Sequence, residues 1–223
     1  MNIPIEKTLQ ETGIVPLIQA ENPEVAIRTS EALLAGGLSV IEVVLRTDDA
    51  LRCLEAVRNS VPGATVGAGT VLTRSQAEAA VSAGARFIVS PGLDDDVVKA
   101  AQAHGLPVFP GVATASEVQH AFNLRLRTVK FFPAAVAGGT AMIKALSAAF
   151  REMRFMPTGG VSAANLAEYL ALPSVVACGG SWLTPPDAIK AGDYGRITSL
   201  AAEAIGIARS ARNRRPQQAS DKR

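Results

Sequence analysis

The chain has 223 residues and carries 22 lysines and arginines against 20 aspartates and glutamates, a net charge of +2. Six basic residues and one acid lie from Arg209 onward, so the body holds 16 basic against 19 acidic residues and offers nucleic acid no broad basic face. Hydrophobic residues reach 48% while aromatics stay at 4%, an aliphatic balance that suits helices packed on a parallel sheet.

A short helix is expected over 4–11. Short β-rich runs then recur at 14–19 (IVPLIQ), 39–45 (SVIEVVL), 65–68 (TVGA), 86–89 (RFIV), 107–109 (PVF), 127–131 (RTVKF), 153–157 (MRFMP) and 174–178 (SVVAC). Their starts lie 20 to 26 residues apart, room for one strand and one crossover helix, so the strands pair in parallel. Amphipathic stretches such as "SQAEAAVSAGA" fill the intervals. Gly36-Gly37 and Gly84 stand where helices stop; Thr114 and Ser162 stand where helices start. Eight such units without a long linker, and no G-x-G-x-x-G after the first strand, favour closure over an open doubly wound sheet. The expected fold is therefore α/β, a (β/α)₈ TIM barrel with an extra N-terminal helix. It forms one domain over 1–208, followed by a basic tail over 209–223 with too little to bury to be ordered.

The N-terminal "MNIPIEKTLQETG" is too polar for a signal peptide, and no apolar run approaches a membrane span. Cys53 and Cys178, in apolar settings, are expected to be reduced thiols, and a cytoplasmic location follows. His104 and His120 are isolated, read as helix-surface residues, and supply no metal-ligand cluster.

In such barrels, chemistry sits at the C-terminal ends of the strands. The second run, "VIEVVLRT", places Val40, Glu42, Val44 and Arg46 on one face and aliphatic Ile41, Val43 and Leu45 on the other. Glu42 and Arg46 therefore point inward, about 13 Å apart along the strand at roughly 3.3 Å per residue. "TVKFFPA" likewise puts Lys130 and Phe132 opposite Val129 and Phe131. A lysine entering the barrel there is desolvated, which favours its free amine, while Glu42 as an ion-pair partner pulls the other way. Two structural readings stay open: a charge network of Glu42, Arg46 and Lys130, or a lysine that snorkels to water.

An amine, a carboxylate and an arginine converging in one barrel suit Schiff-base chemistry on a 2-oxo acid. "PTGGVS" and "ACGGSW" bring Gly159, Gly160, Gly180 and Ser181 to consecutive strand ends, where backbone amides can approach a phosphate. "GAGTV" and "SPG" add Thr70, Ser90 and Pro91 to the same rim. Thr70 can donate to a carboxylate or can cap the following helix, a role for which Thr73 also qualifies.

Together "VIEVVLRT", "VGAGTVL", "FIVSPGL", "TVKFFPA", "FMPTGGVS" and "CGGSWL" resemble the bacterial 2-keto-3-deoxy-6-phosphogluconate (KDPG) aldolases, from about Gly13 to about Leu200. Relatives in that family also cleave 4-hydroxy-2-oxoglutarate (KHG). The resemblance implies a cytoplasmic homotrimer that yields pyruvate and glyceraldehyde 3-phosphate without metal or cofactor. It implies Lys130 as the Schiff-base lysine and Glu42 as the general acid/base. Arg46 and Thr70 match positions that hold the pyruvate carboxylate, Phe132 and Pro91 match the pocket lining, and Gly159, Gly160, Gly180 and Ser181 match the phosphate end. Some relatives have an arginine near the end of the first strand, where this chain has Gln19. The rivals are a 6-phosphogalactonate specificity, a metal-dependent aldolase or decarboxylase short of ligands, and a non-catalytic sugar-phosphate sensor.

Overall fold

Residues 5–214 are described in the structure, a computed structural model. Helix α1 (Ile5–Thr12) leads into β1 (Ile14–Ile18), α2 (Pro23–Ala35), β2 (Val40–Val44), α3 (Ala50–Ser60), β3 (Thr65–Gly69) and α4 (Arg74–Ser82). There follow β4 (Ile88–Val89), α5 (Asp95–Ala103), β5 (Val108–Phe109), β6 (Gly111–Val112), α6 (Ala115–Asn123) and β7 (Thr128–Phe131). The chain closes with α7 (Gly139–Ala149), β8 (Arg154–Pro157), α8 (Leu166–Leu170), β9 (Cys178–Gly180), α9 (Pro186–Ala191) and α10 (Tyr194–Asn213).

All strand pairs are parallel, as crossover helices require. Six strands in the order β5-β4-β3-β2-β1-β9 form a sheet curled into a half-barrel, and β6-β7-β8 form a second sheet. Two seams connect them. At the first, one run of chain pairs with β4 before Pro110 and with β7 after it, and the Pro110 carbonyl accepts from Lys130 N at 2.9 Å. Proline has no N–H to donate, so the run reads as two short strands instead of the single one expected at 107–109. At the second, Phe155 N donates to Ser174 O at 2.8 Å and Val176 N donates to Phe155 O at 3.1 Å, while Cys178–Gly180 pairs with β1. The strand expected at 174–178 is thus displaced: 174–176 only bridge to β8, and the regular ladder runs through the glycines.

Each strand faces two ways, and the core divides accordingly. Ile41, Val43, Val129 and Phe131 belong to a large cluster with helix residues such as Leu33, Leu54 and Ile143. Val40, Val15, Phe87, Phe109 and Met156 form a smaller inner cluster. Leu9 of α1, fully buried, joins that inner cluster with Ile5 packed on it, so α1 plugs one end of the curled sheet. Burying each such side chain stabilises the fold by about 1.5–3 kcal/mol.

The C-terminal expectation needs correction. Arg209–Asn213 are not tail but the last turns of α10, whose Ala201, Ala204, Ala208 and Ala211 are buried. Alanines at spacings of three and four let a basic helix lie close on the body, with Arg209 exposed and Arg212 turned inward to donate to the Val176 carbonyl. The remainder of the expected tail, 215–223, lies outside the described residues. Thr114 does start a helix, in a capping box with Glu117. Ser162 does not: its N–H donates to Asn165 Oδ1 in a turn, and Asn165 precedes α8.

Candidate active site

Glu42 on β2 and Lys130 on β7 meet inside the curled sheet. Each is only 2% exposed, and Lys130 Nζ lies 3.9 Å from Glu42 Oε1. The lysine therefore does not snorkel to water. The separation gives an ion pair without a hydrogen bond, and Glu42 Oε1 has no hydrogen-bond partner among the described residues. Burial raises the Glu42 carboxyl above its usual value, outweighing the opposing pull of Lys130 and Arg46. A buried, under-satisfied carboxylate beside an amine costs stability, and sites that move protons are where such costs persist.

On the β3 side, Gly69 leaves Glu42 room that no larger residue would. Glu42 registers against Gly67 of β3, two residues before Gly69, and a Cβ on Gly69 would overlap Glu42 Oε1 and lie 2.5 Å from its Cγ. Gly69→Ala is accordingly expected to cost about 1–3 kcal/mol by overpacking. The displaced carboxylate should lower kcat/KM by about 10²-fold. Thermal unfolding and steady-state rates on the same protein check both.

Lys130 registers against Gly111 of β6, and a Cβ on Gly111 would overlap the Pro91 carbonyl, which places the Pro91 backbone against the strand next to the lysine's. The Phe132 ring centroid is 5.0 Å from Lys130 Nζ. Phe132 in turn lies 3.3 Å from where a Gly159 side chain would begin. Ser90, nearly buried, donates to Gly92 O at 2.7 Å and so shapes the loop instead of facing a ligand.

Arg46 extends beyond the end of β2, is exposed, and donates through Nε to Thr70 Oγ1 at 3.0 Å. That leaves both terminal guanidinium nitrogens for a carboxylate, with the fork's orientation held. Thr70 adopts φ of 57°, and the helix-cap role belongs to Thr73, whose Oγ1 accepts from Gln76 N. A threonine in the left-handed region is strained, a cost that collects at functional sites.

Gly159 and Gly160 adopt φ of 91° and 78°, a conformation that favours glycine. Gly180 has no such φ; a Cβ there would crowd Leu183 at 2.9 Å. Ser181 follows in a three-residue 3₁₀ turn, with its side chain exposed.

The residues expected from sequence thus form two linked groups. Lys130, Glu42, Phe132 and Gly159 connect through the contacts above, with Pro91 joined to them by way of Gly111, and Arg46 with Thr70 sits at the rim. Beside them opens a cavity of about 760 Å³ between β1, β2, α2 and α9. Only Arg46 and Ser181 of the expected residues line it. Its floor includes Leu17, which registers against Glu42, and Val44, two residues along β2 from it, so the cavity reaches the carboxylate's own strand, yet neither Glu42 nor Lys130 lines it. Its walls add Gln19, Glu21, Asn22, Thr184 and Lys190, none of which was singled out as a site residue. The Thr184 hydroxyl donates to Leu17 O at 2.6 Å and ties the 3₁₀ segment to β1. Among the described residues, no group of three or more His, Cys, Asp or Glu side chains is placed to hold a metal ion. His120 instead pairs with Asp95 at 2.6 Å on the surface.

A family model described as KDPG and KHG aldolase matches residues 5–200. This chain belongs to that family. The KHG/KDPG aldolase of Escherichia coli K12 is 46% identical over 200 residues, covering 90% of this chain and 94% of that protein. The 2-dehydro-3-deoxy-phosphogluconate aldolase of Treponema pallidum is 43% identical over 205 residues, covering 92% and 98%. Among solved structures, the KDPG aldolase of Legionella pneumophila superposes with a TM-score of 0.87 at 41% identity, covering 91% of this chain and 98% of its own. Its pyruvate is captured as a covalent carbinolamine intermediate. As a member of the KDPG and KHG aldolases, this chain is a lyase of the α/β class.

Proposed function

We propose that this KDPG/KHG-family aldolase cleaves KDPG to pyruvate and glyceraldehyde 3-phosphate through a Schiff base on Lys130, and accepts KHG as well. The observation that carries the mechanism is the pair of 2%-exposed side chains at 3.9 Å, a primary amine and a carboxyl whose protonation is favoured by burial. Lys130 Nζ attacks the C2 carbonyl, and loss of water from the carbinolamine gives an iminium. Glu42 takes the proton of the C4 hydroxyl as the C3–C4 bond breaks, its electron pair passing into an enamine. The aldehyde leaves, Glu42 returns a proton to the enamine carbon, and hydrolysis frees pyruvate and the amine. Arg46, set by Thr70, holds the substrate carboxylate, and Pro91 and Phe132 bound the pocket. Gly159, Gly160, Gly180 and Ser181 supply the phosphate end. The iminium is the electron sink, so no metal enters a step.

The full (β/α)₈ ring is part of the same reading, supported by the hydrogen-bonded seams at Pro110 and at Ser174–Val176. Residues 5–213 then make up the barrel domain, with α1 as its plug and α10 as its last helix. We infer a homotrimer from the family likeness; Leu72 and Val136, 54% and 84% exposed, are apolar groups that an interface would cover. Cytoplasmic residence suits Cys53 and Cys178, both buried and in no disulfide, and no described helix is long and apolar enough to cross a membrane. The test is release of pyruvate from KDPG, measured by coupled NADH oxidation with EDTA present. Turnover that survives chelation supports the reading. Binding of KDPG without turnover would favour a sensor, and preference for the galactonate epimer would move the assignment to that substrate.

A further inference from the structure

The cavity beside Arg46 is far larger than a three-carbon acid needs, and its wall chemistry is uneven. Its floor is apolar, with Leu17 and Val44 8% and 2% exposed. Among the lining residues the charges are Arg46, Glu21 and Lys190. Arg46 is already tied through Nε to Thr70, which aims its remaining nitrogens as one unit. Glu21 repels any anion that enters. Gln19, at the end of the first strand, is neutral. A second anionic group therefore has one cation left to meet, Lys190 on α9, which is exposed and lies within ion-pair distance of no carboxylate among the described residues. Ser181 lines the same cavity and offers it a hydroxyl.

We propose that Lys190 is a specificity-determining residue, the cation that recognises the distal phosphate of the substrate in this cavity. The assignment rests on the aldolase reading above and goes further by naming the charge that separates phosphorylated from unphosphorylated 2-oxo acids. Of the residues assigned to the phosphate end only Ser181 lines this cavity, and its hydroxyl is neutral; a dianion near Glu21 needs an opposing full charge. Lysine suits this, since a phosphate accepts from any direction and the flexible stem can follow substrates of different length.

The test uses the full chain with Lys190→Ala and Lys190→Arg, each assayed on KDPG and on its dephosphorylated counterpart, 2-keto-3-deoxygluconate. The ratio of kcat/KM for the two substrates should fall about tenfold in Lys190→Ala, mostly through KM, the loss of one charge-assisted contact. Lys190→Arg should recover most of the ratio, and high salt should shrink the difference between wild type and Lys190→Ala. A ratio in Lys190→Ala within twofold of wild type, or equal losses on both substrates, overturns the proposal. Pyruvate trapping on the wild type keeps the two levels apart. No adduct means that the aldolase reading itself has failed, whereas a normal adduct with an unchanged ratio rejects Lys190 alone.

Discussion

Lys130→Met should abolish aldol cleavage, lowering kcat by about 10⁴-fold or more, because the amine that forms the covalent intermediate is gone. The thioether roughly preserves the volume of the lysine stem, so the fold should persist. Its pH dependence of stability should change in a definite direction. Burial already raises Glu42 above the ordinary value, and Lys130 is the larger of the two charges that oppose the rise. Removing Lys130 lets the carboxyl rise further and take up a proton. A raised folded-state pKa contributes stability that is fully present below the unfolded value of 4.5 and is lost as pH rises through the folded one. Lys130→Met should therefore come closest to wild-type stability at pH 4.5 and below and fall behind it with rising pH, up to about 1.4 kcal/mol per unit of additional shift. Urea unfolding at several pH values checks the sign. A variant that gained stability as pH rose would mean that the two groups are not coupled.

Glu42→Gln is expected to reduce kcat/KM by about 10²–10⁴-fold, the range for a positioned proton-transfer group. The amide fills the same space beside Gly69 and leaves Lys130 in place, so the lysine should still capture pyruvate. What should disappear is proton traffic. Wild-type protein should exchange the methyl hydrogens of pyruvate with deuterium from solvent, and Glu42→Gln should not. Because burial raises the Glu42 pKa, the acid limb of the wild-type kcat/KM profile should lie above pH 4.5, with activity falling as pH drops through it. Retained exchange in Glu42→Gln would show that another group moves the proton and would reduce Glu42 to an electrostatic partner.

Alternation along "VIEVVLRT" and "TVKFFPA" was enough to separate the helix-facing residues Ile41, Val43, Val129 and Phe131 from the inward Glu42 and Lys130, because a two-residue period leaves a strand only two faces. Spacing and glycine stops located the units for the same kind of reason: each signal is local. What was hidden depends on distant partners. Pro110 divides a strand according to which neighbour it pairs with, β4 before and β7 after. Gly179 and Gly180 read as a turn yet sit in β9, because β1 offers Val15 and Pro16 as partners. The basic C-terminal stretch looked like a solvated tail because alanine carries little hydropathy, although Ala204, Ala208 and Ala211 already had helical spacing. Lys190 is an ordinary charged residue in "PDAIKAGD", and only the folding of α9 against the ends of β1 and β2 gives it a cavity to face.

The most direct measurement is borohydride reduction of the full chain in the presence of pyruvate, followed by peptide mass spectrometry. The Schiff-base account predicts a stable pyruvyl adduct on Lys130, absent without pyruvate and absent in Lys130→Met. Folded wild-type protein whose Lys130 stays unmodified, or which carries the adduct on another lysine, would contradict it and leave the buried Lys130–Glu42 pair as a structural ion pair.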